Sequence, residues 1–263
     1  MNDIILNEIV TTNKRTAKKA NIFHIVWIML YSLVVTFKSC WLTLFTSFSA
    51  KQDRRLKVDK IIERWATQLV NAVKIQWRTV GDLEGQVGED RAVIIMCNHS
   101  SAYDIPLAFV ALPGSIRMIS KKELFNIPLL SSAMKAAEII SINRQDRNQA
   151  IKDLEIAKQK MKSGIRIWMF PEGTRSGDGK LLPLKKGGIR LAIDTNAIIV
   201  PVVMQDIYKV LPEKKWLKMM LNQEVIVRVG TAIDCRDFAV EDRHNLSELV
   251  YNSMQQMLNE PSL

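Results

Sequence analysis

Cysteine is nearly absent from this chain, with three in 263 residues (Cys40, Cys97 and Cys235). None has a second cysteine or a histidine at ligand spacing. That excludes a disulfide framework and a zinc-type cluster, and it implies a reducing, cytosolic-facing setting. Histidine is equally scarce, with three in the chain. There is no internal repeat and no low-complexity stretch. A G-x-S-x-G nucleophile elbow is missing, and Gly177-Asp178-Gly179-Lys180 lacks the spacing of a phosphate-binding loop. Nothing in these patterns calls for a metal or an organic cofactor, and neither is expected. Acidic residues are also short, 27 against 37 Lys and Arg, leaving a net charge of +10.

The position of that charge narrows its meaning. Residues 1–60 hold ten Lys/Arg and four Asp/Glu, so this stretch supplies +6 of the excess. A nucleic-acid partner would want basic residues interleaved with exposed aromatics or along a recognition helix. Here they flank an apolar block, which points away from nucleic acid and toward anionic lipid. From Ile22 to Phe48 the only strongly polar residues are His24 and Lys38. At ~1.5 Å per residue that run is long enough to cross a bilayer core of ~30 Å. Three readings stay open: a re-entrant or monotopic anchor with both basic flanks on the cytoplasmic side, a single spanning helix, and a signal peptide ending near Ser47-Phe48-Ser49. Apolar residues at 58, 62, 65, 69, 73, 77 and 80 then predict an amphipathic helix over Val58–Val80. The expected organisation is a membrane-anchoring helical segment over 1–57, a linking helix over 58–80 and an α/β domain over 81–263.

Beyond Asp90, short β-branched runs alternate with helical patterns. Strands are expected at Ala92–Cys97, Arg117–Ser120, Ile139–Ile142, Ile165–Phe170, Ile198–Val203 and Val225–Val229. Helices are expected at Ile105–Leu112, Lys122–Ala137, Arg147–Lys162, Gly187–Thr195 and Asn245–Asn259. Near-continuous apolar strands separated by helices imply an α/β fold with a mostly parallel sheet covered by helices on both faces. Reactive groups in such folds collect at the carboxyl ends of the strands. Two segments occupy such positions: Asn98-His99-Ser100-Ser101-Ala102-Tyr103-Asp104 and Pro171-Glu172-Gly173-Thr174-Arg175-Ser176.

His99 at a strand tip with Asp104 five residues on forms a dyad if the turn brings carboxylate and imidazole together. The carboxylate would hold Nδ1–H, fix the tautomer and leave Nε2 to accept a proton. The spacing alone is equally compatible with a structural hydrogen bond, or with Asp104 acting as a helix N-cap ahead of Pro106. Cys97 is expected to face the core. With no protein nucleophile beside the base, direct attack by a substrate hydroxyl or by water is the chemistry implied.

Taken in order and spacing, NHSSAYD (98–104), SKKELFNIPLL (120–130), the INR triplet ending at Arg144, FPEGTRS (170–176) and VPV (200–202) resemble the 1-acyl-sn-glycerol-3-phosphate acyltransferases over about residues 80–210. The resemblance implies a glycerol-3-phosphate acyltransferase-like fold with an N-terminal anchor. It implies transfer of an acyl chain from acyl-CoA or acyl carrier protein to the sn-2 hydroxyl of lysophosphatidate, in phospholipid synthesis. Membrane lipids are then partners, at a bacterial inner membrane with the catalytic domain on the cytoplasmic side. His99 corresponds to the general base and Asp104 to its orienter. Glu172, Gly173, Thr174 and Arg175 correspond to the EGTR motif that binds the acceptor. Arg144 is a further phosphate ligand, and Lys121 or Lys122 adds positive charge near donor or phosphate. Backbone N–H groups near the start of the following helix are expected to stabilise the oxyanion. The chain departs from the family's G-x-I-F-I-D-R pattern at Glu138, Ser141 and Asn143. That departure bears on the acceptor headgroup and leaves another lysolipid, such as a lyso-aminolipid, as an alternative acceptor.

Overall fold

The structure, a computed structural model, describes residues 16–88, 91–142 and 147–261. A two-residue strand, β1 (Lys18–Lys19), precedes helix α1 (Ile22–Phe45). Asn21 caps α1, its side chain accepting the N–H of His24. A turn of 3-10 helix at Thr46–Phe48 reverses the chain into α2 (Lys51–Ala72). Then follow β2 (Gln76–Val80), β3 (Val93–Cys97), α3 (Asp104–Ala111), β4 (Ile116–Lys121), α4 (Leu130–Ala136), β5 (Ile140–Ile142), α5 (Arg147–Lys162) and β6 (Arg166–Met169). The chain continues through α6 (Lys186–Asp194), β7 (Ile198–Gln205), β8 (Met220–Leu221), β9 (Glu224–Val229), β10 (Ile233–Asp234) and α7 (Arg243–Asn259).

The main sheet has the order β2-β9-β7-β3-β6-β4-β5, with β10 added beside β7. Strands β7, β3, β6, β4 and β5 run parallel to one another, while β9 is antiparallel to β7 and parallel to β2. The expected mostly parallel sheet is therefore present, mixed at one side. Strand β3 lies at its centre and is buried throughout. Val93, Ile95 and Cys97 enter the core under α2 and α3; Ile94 and Met96 enter the core under α5, α6 and α7. This period-2 division explains why β3 reads as an unbroken apolar run.

Three expected boundaries are corrected. The helix expected over Val58–Val80 is part of α2, which starts at Lys51 and stops at Ala72, so no boundary falls at residue 57. Lys74 adopts the left-handed conformation (φ 57°) that closes a helix, and residues 76–80 become a strand beside β9. Trp77 and Val80 satisfy helical spacing on paper, yet the pairing edge of β9 captures them. The sheet thus takes in residues before 81. The helix expected over Lys122–Ala137 is split into a 3-10 turn at Lys122–Asn126 and α4. Pro128 accounts for the break, since it has no N–H and disfavours helix in the residue before it.

Helices α1 and α2 form an antiparallel hairpin. Trp65 donates its indole N–H to the hydroxyl of Thr36 at 3.0 Å and packs edge-on against Phe109 of α3. On α1, Ile25, Ile28, Val35 and Cys40 are buried against the protein. The opposite side leaves Phe23, Trp27, Leu30, Leu33, Val34, Phe37 and Trp41 more than half exposed.

Candidate active site

Because β3, β6, β4 and β5 are parallel, their carboxyl ends share one edge of the sheet. His99 leaves the end of β3 there, and the Phe170–Ser176 turn leaves the end of β6 next to it. The two are joined through backbone: the N–H of Ser176 donates to the carbonyl of His99 at 2.7 Å. Asn98 pins the tip of β3 by accepting the N–H of Met204 at 2.8 Å.

His99 and Asp104 do form a pair, Nδ1 to Oδ2 at 2.7 Å. The same Oδ2 accepts the N–H groups of Ser100 and Ser101 at 2.8 and 2.9 Å. Asp104 is therefore not an N-cap. It is the first residue of α3, and its carboxylate reaches back over the turn that it closes. Burial raises its pKa, while the bonds to His99, Ser101 and Ser100 hold it down. The Asp104 carboxyl at this distance orients the imidazole and leaves Nε2 without a protein partner among the described residues. Phe170 stacks flat on the ring, centroids 3.7 Å apart with planes 9° from parallel. Trp168 and Phe109 continue this aromatic file to α2. Cys97 is fully buried in the core, as expected, and burial pushes its thiol well above the ordinary range. It is no nucleophile.

Glu172 is 1% exposed, and both of its oxygens are occupied by backbone. Oε1 accepts the N–H of His99 at 2.6 Å and Oε2 that of Leu182 at 2.8 Å. Burial pushes the carboxyl up to about 7, with nearby Asp104 contributing in the same direction. Glu172 thus spans two loops from beneath. Gly173 follows at φ 77°, the left-handed region open to glycine. Thr174 is exposed and Arg175 half-buried. Among the described residues no acceptor pairs with the Arg175 guanidinium, so its fork is free for an anion beside His99.

Lys121 ends β4 and Lys122 follows it, both exposed on the same edge. They stand two strands away from β3, roughly 10 Å to the side at the usual strand spacing. Arg144 and Asn143 lie outside the described residues. Glu138 is not at this edge. It precedes β5, at the opposite end of the sheet, in the left-handed conformation (φ 59°) and paired with Arg55 of α2 at 3.0 Å. Its departure from the family pattern therefore lies at the end of the sheet opposite His99, and Ser141 sits within β5 opposite Ser120. The helix-start donors expected for an oxyanion are taken up in part. The N–H groups of Ser100 and Ser101 go to Asp104, that of Tyr103 to the Ser101 hydroxyl, and that of Asp104 to the Ser101 carbonyl. Among the described residues the N–H groups near His99 without a protein acceptor include that of Ala102 in the same turn and those of Thr174 and Arg175 in the neighbouring one. Sequence reasoning passed over Phe170 and Asn98 as site residues, although both lie in the quoted motifs. Stacking and a cross-strand side-chain bond leave no spacing signature.

The chain is 30% identical over 170 residues to 1-acyl-sn-glycerol-3-phosphate acyltransferase alpha of Homo sapiens, covering 64% of this chain and 59% of that protein. It is 37% identical over 123 residues to the 1-acyl-sn-glycerol-3-phosphate acyltransferase of Cocos nucifera, covering 46% and 40%. The chain thus spans about 40–60% of the length of these curated relatives. The crystal structure of the 1-acyl-sn-glycerophosphate acyltransferase PlsC from Thermotoga maritima superposes with a TM-score of 0.74 at 25% identity, covering 92% of this chain and 98% of that one. Residues 79–205, which contain His99, Asp104 and the Phe170–Ser176 turn, match the acyltransferase family.

Proposed function

We propose that this protein is a membrane-bound O-acyltransferase that moves an acyl chain from a thioester donor, acyl-CoA or acyl carrier protein, to the sn-2 hydroxyl of lysophosphatidate. The observation that carries this reading is the His99–Asp104 pair with Nε2 unengaged, set beside the unpaired Arg175. His99 Nε2 takes the hydroxyl proton as the oxygen attacks the thioester carbonyl. The tetrahedral oxyanion is held by donors of the 170–176 turn, where the Thr174 and Arg175 N–H groups are free. Collapse expels the thiolate, which takes the proton back from His99. Arg175 binds the acceptor phosphate, and Lys121 and Lys122 add positive charge along the route of the donor. Arg144 is retained as a phosphate ligand. The likeness to enzymes named for this reaction supports it. The steps written here need no cofactor.

The membrane reading rests on α1. Its amino end is tied to the domain by the pairing of β1 with β8, and its carboxyl end by the turn into α2. A helix held alongside its own domain at both ends lies along a bilayer surface, so the monotopic reading is favoured over the spanning one and over a cleaved leader. The basic flanks of α1 support placing the domain on the cytoplasmic side.

His99→Ala is the direct test, assayed in membranes with lysophosphatidate and acyl-CoA. Loss of a general base lowers kcat by ~10²–10⁴. Turnover equal to the parent protein removes His99 from the mechanism. A panel of lysolipid acceptors against CoA and carrier-protein donors fixes headgroup and donor together.

A further inference from the structure

The segment between β7 and β8 runs from the rim of the active site to the amino end of α1. Near its start, the carbonyl of Leu211 accepts the hydroxyl of Ser101, in the turn that holds His99, at 3.2 Å. At its end, the carbonyl of Met219 accepts the N–H of Ala20 at 2.9 Å, and Met220–Leu221 pair with Lys18–Lys19. In between, Trp216–Lys218 make a 3-10 turn against α1. Trp216 and Leu217 are 50% and 49% exposed. The first turn of α1 presents Ile22 and Phe23 outward as well. Five exposed lysines surround this corner: Lys18, Lys19, Lys214, Lys215 and Lys218. Glu213 is the one acid in the stretch from 207 to 223.

Outward-facing Trp and Leu amid lysines match the headgroup level of an anionic leaflet. The indole takes the boundary, the aliphatic chain goes deeper, and the ammonium groups meet lipid phosphates. We propose that Lys214–Lys218 is a second membrane contact, docking Trp216 and Leu217 into the same leaflet as α1 while the five lysines hold anionic headgroups. This rests on, and deepens, the monotopic reading of α1. The same loop touches the His99 turn through Leu211, so its docking depth sets the height of the site above the leaflet. An acceptor embedded in that leaflet then reaches His99 without leaving the bilayer. An acidic carrier-protein donor would also meet lysines. The leaflet is favoured because the patch is continuous with the exposed apolar face of α1.

The test is co-sedimentation of the full chain with phosphatidylcholine vesicles, with and without phosphatidylglycerol. Trp216→Ser/Leu217→Ser lowers partitioning onto both vesicle types by about tenfold or more. Lys214→Glu/Lys215→Glu/Lys218→Glu abolishes the preference for phosphatidylglycerol. Activity on a water-soluble short-chain acceptor and donor, and the melting temperature, stay at parental values in both variants. The lysine variant changes exposed side chains, so it remains decisive if the apolar variant misfolds. Parental vesicle binding by the lysine variant overturns the proposal. So does a raised KM for carrier-protein donor with vesicle binding intact, which would make the corner a donor dock. A parallel Trp27→Ser/Leu30→Ser variant separates the two readings: if it loses binding while the loop variants keep it, only α1 is the anchor. If the parent chain itself fails to bind vesicles, the membrane reading falls with the proposal.

Discussion

Arg175 and Glu172 stand three residues apart in one motif and do different work. Arg175 keeps its guanidinium free, whereas both oxygens of Glu172 are committed to backbone N–H groups. On the proposed function, truncating the first removes the phosphate's ligand, and truncating the second loosens the support of His99. Charge-assisted hydrogen bonds of this kind contribute ~1.5–3 kcal/mol. Arg175→Ala is accordingly expected to raise KM for lysophosphatidate by about 10- to 100-fold, with a far smaller effect on an acceptor without a phosphate. Arg175→Lys recovers only part of it, because an ammonium cannot offer the bidentate fork. Steady-state kinetics with the two acceptors reads both outcomes.

Glu172 also makes stability depend on pH. Its carboxyl sits at about 7 in the folded protein against an ordinary value of 4.5. An acid with the higher value in the folded state binds its proton more tightly there. Its contribution is thus fully present below about pH 4.5 and is lost as pH rises through about 7. Asp104, also raised by burial, acts in the same direction. Thermal melts of the parent chain should fall in Tm between pH 5 and pH 8. Glu172→Gln should show a shallower fall and a lower Tm at pH 5, because an amide can accept only one of the two N–H groups. A Gln variant whose melts track the parent across that range counts against a near-neutral Glu172.

At the level of elements, the α1–α2 hairpin is clamped to the far end of the sheet by charge. Arg55 pairs with Glu138 through two nitrogens, and Lys160 of α5 approaches the same carboxylate at 4.0 Å. Arg117 of β4, 1% exposed, pairs with Asp59 of α2 at 2.6 Å. Glu138 pays a backbone cost for its place, since a left-handed non-glycine residue is disfavoured by ~1–2 kcal/mol. Two substitutions separate strain from pairing. Glu138→Ala loses the ion pair and keeps the strain, whereas Glu138→Gly loses the pair and sheds the strain. The Gly variant should therefore be the more stable of the two by about 1 kcal/mol in chemical denaturation. The opposite order would mean that the φ of 59° carries no cost.

At the scale of the whole molecule, the membrane reading rests on the outer side of α1. Burying even half of the surface that about ten large apolar side chains still expose contributes on the order of 10 kcal/mol. That exceeds what a few surface charges supply, so apolar insertion dominates and lysines bias the choice of leaflet. Replacing Trp27, Leu30, Leu33 and Phe37 by Ser leaves the packed face of Ile25, Ile28 and Val35 intact. Such a variant should fold, remain in solution without detergent and lose most activity on vesicle-borne acceptor. A vesicle flotation assay with a melting curve checks both halves. If it still floats with vesicles, α1 is not the anchor.

Much of this was legible in the residues. Hydrophobic period alone located β3, β4, β6, β7 and β9 to within one or two residues, because a doubly covered strand is apolar on both faces. Residues 76–80 were not legible, because Trp77 and Val80, three apart, fit the helical period and only the free edge of β9 chose the strand. The His99–Asp104 pair was readable as a spacing, but whether Asp104 faced forward as a cap or backward as a partner was a matter of turn geometry. Glu172 read as a ligand and proved to be a strut, since spacing says nothing of which way a carboxylate points. The chemical inventory, one strand-end histidine, an arginine in the neighbouring strand-end motif and one long apolar helix, is thus a property of the sequence by itself. Which residues support and which face substrate was decided only by the tertiary structure, because burial and hydrogen-bond partners are set by segments distant in the chain.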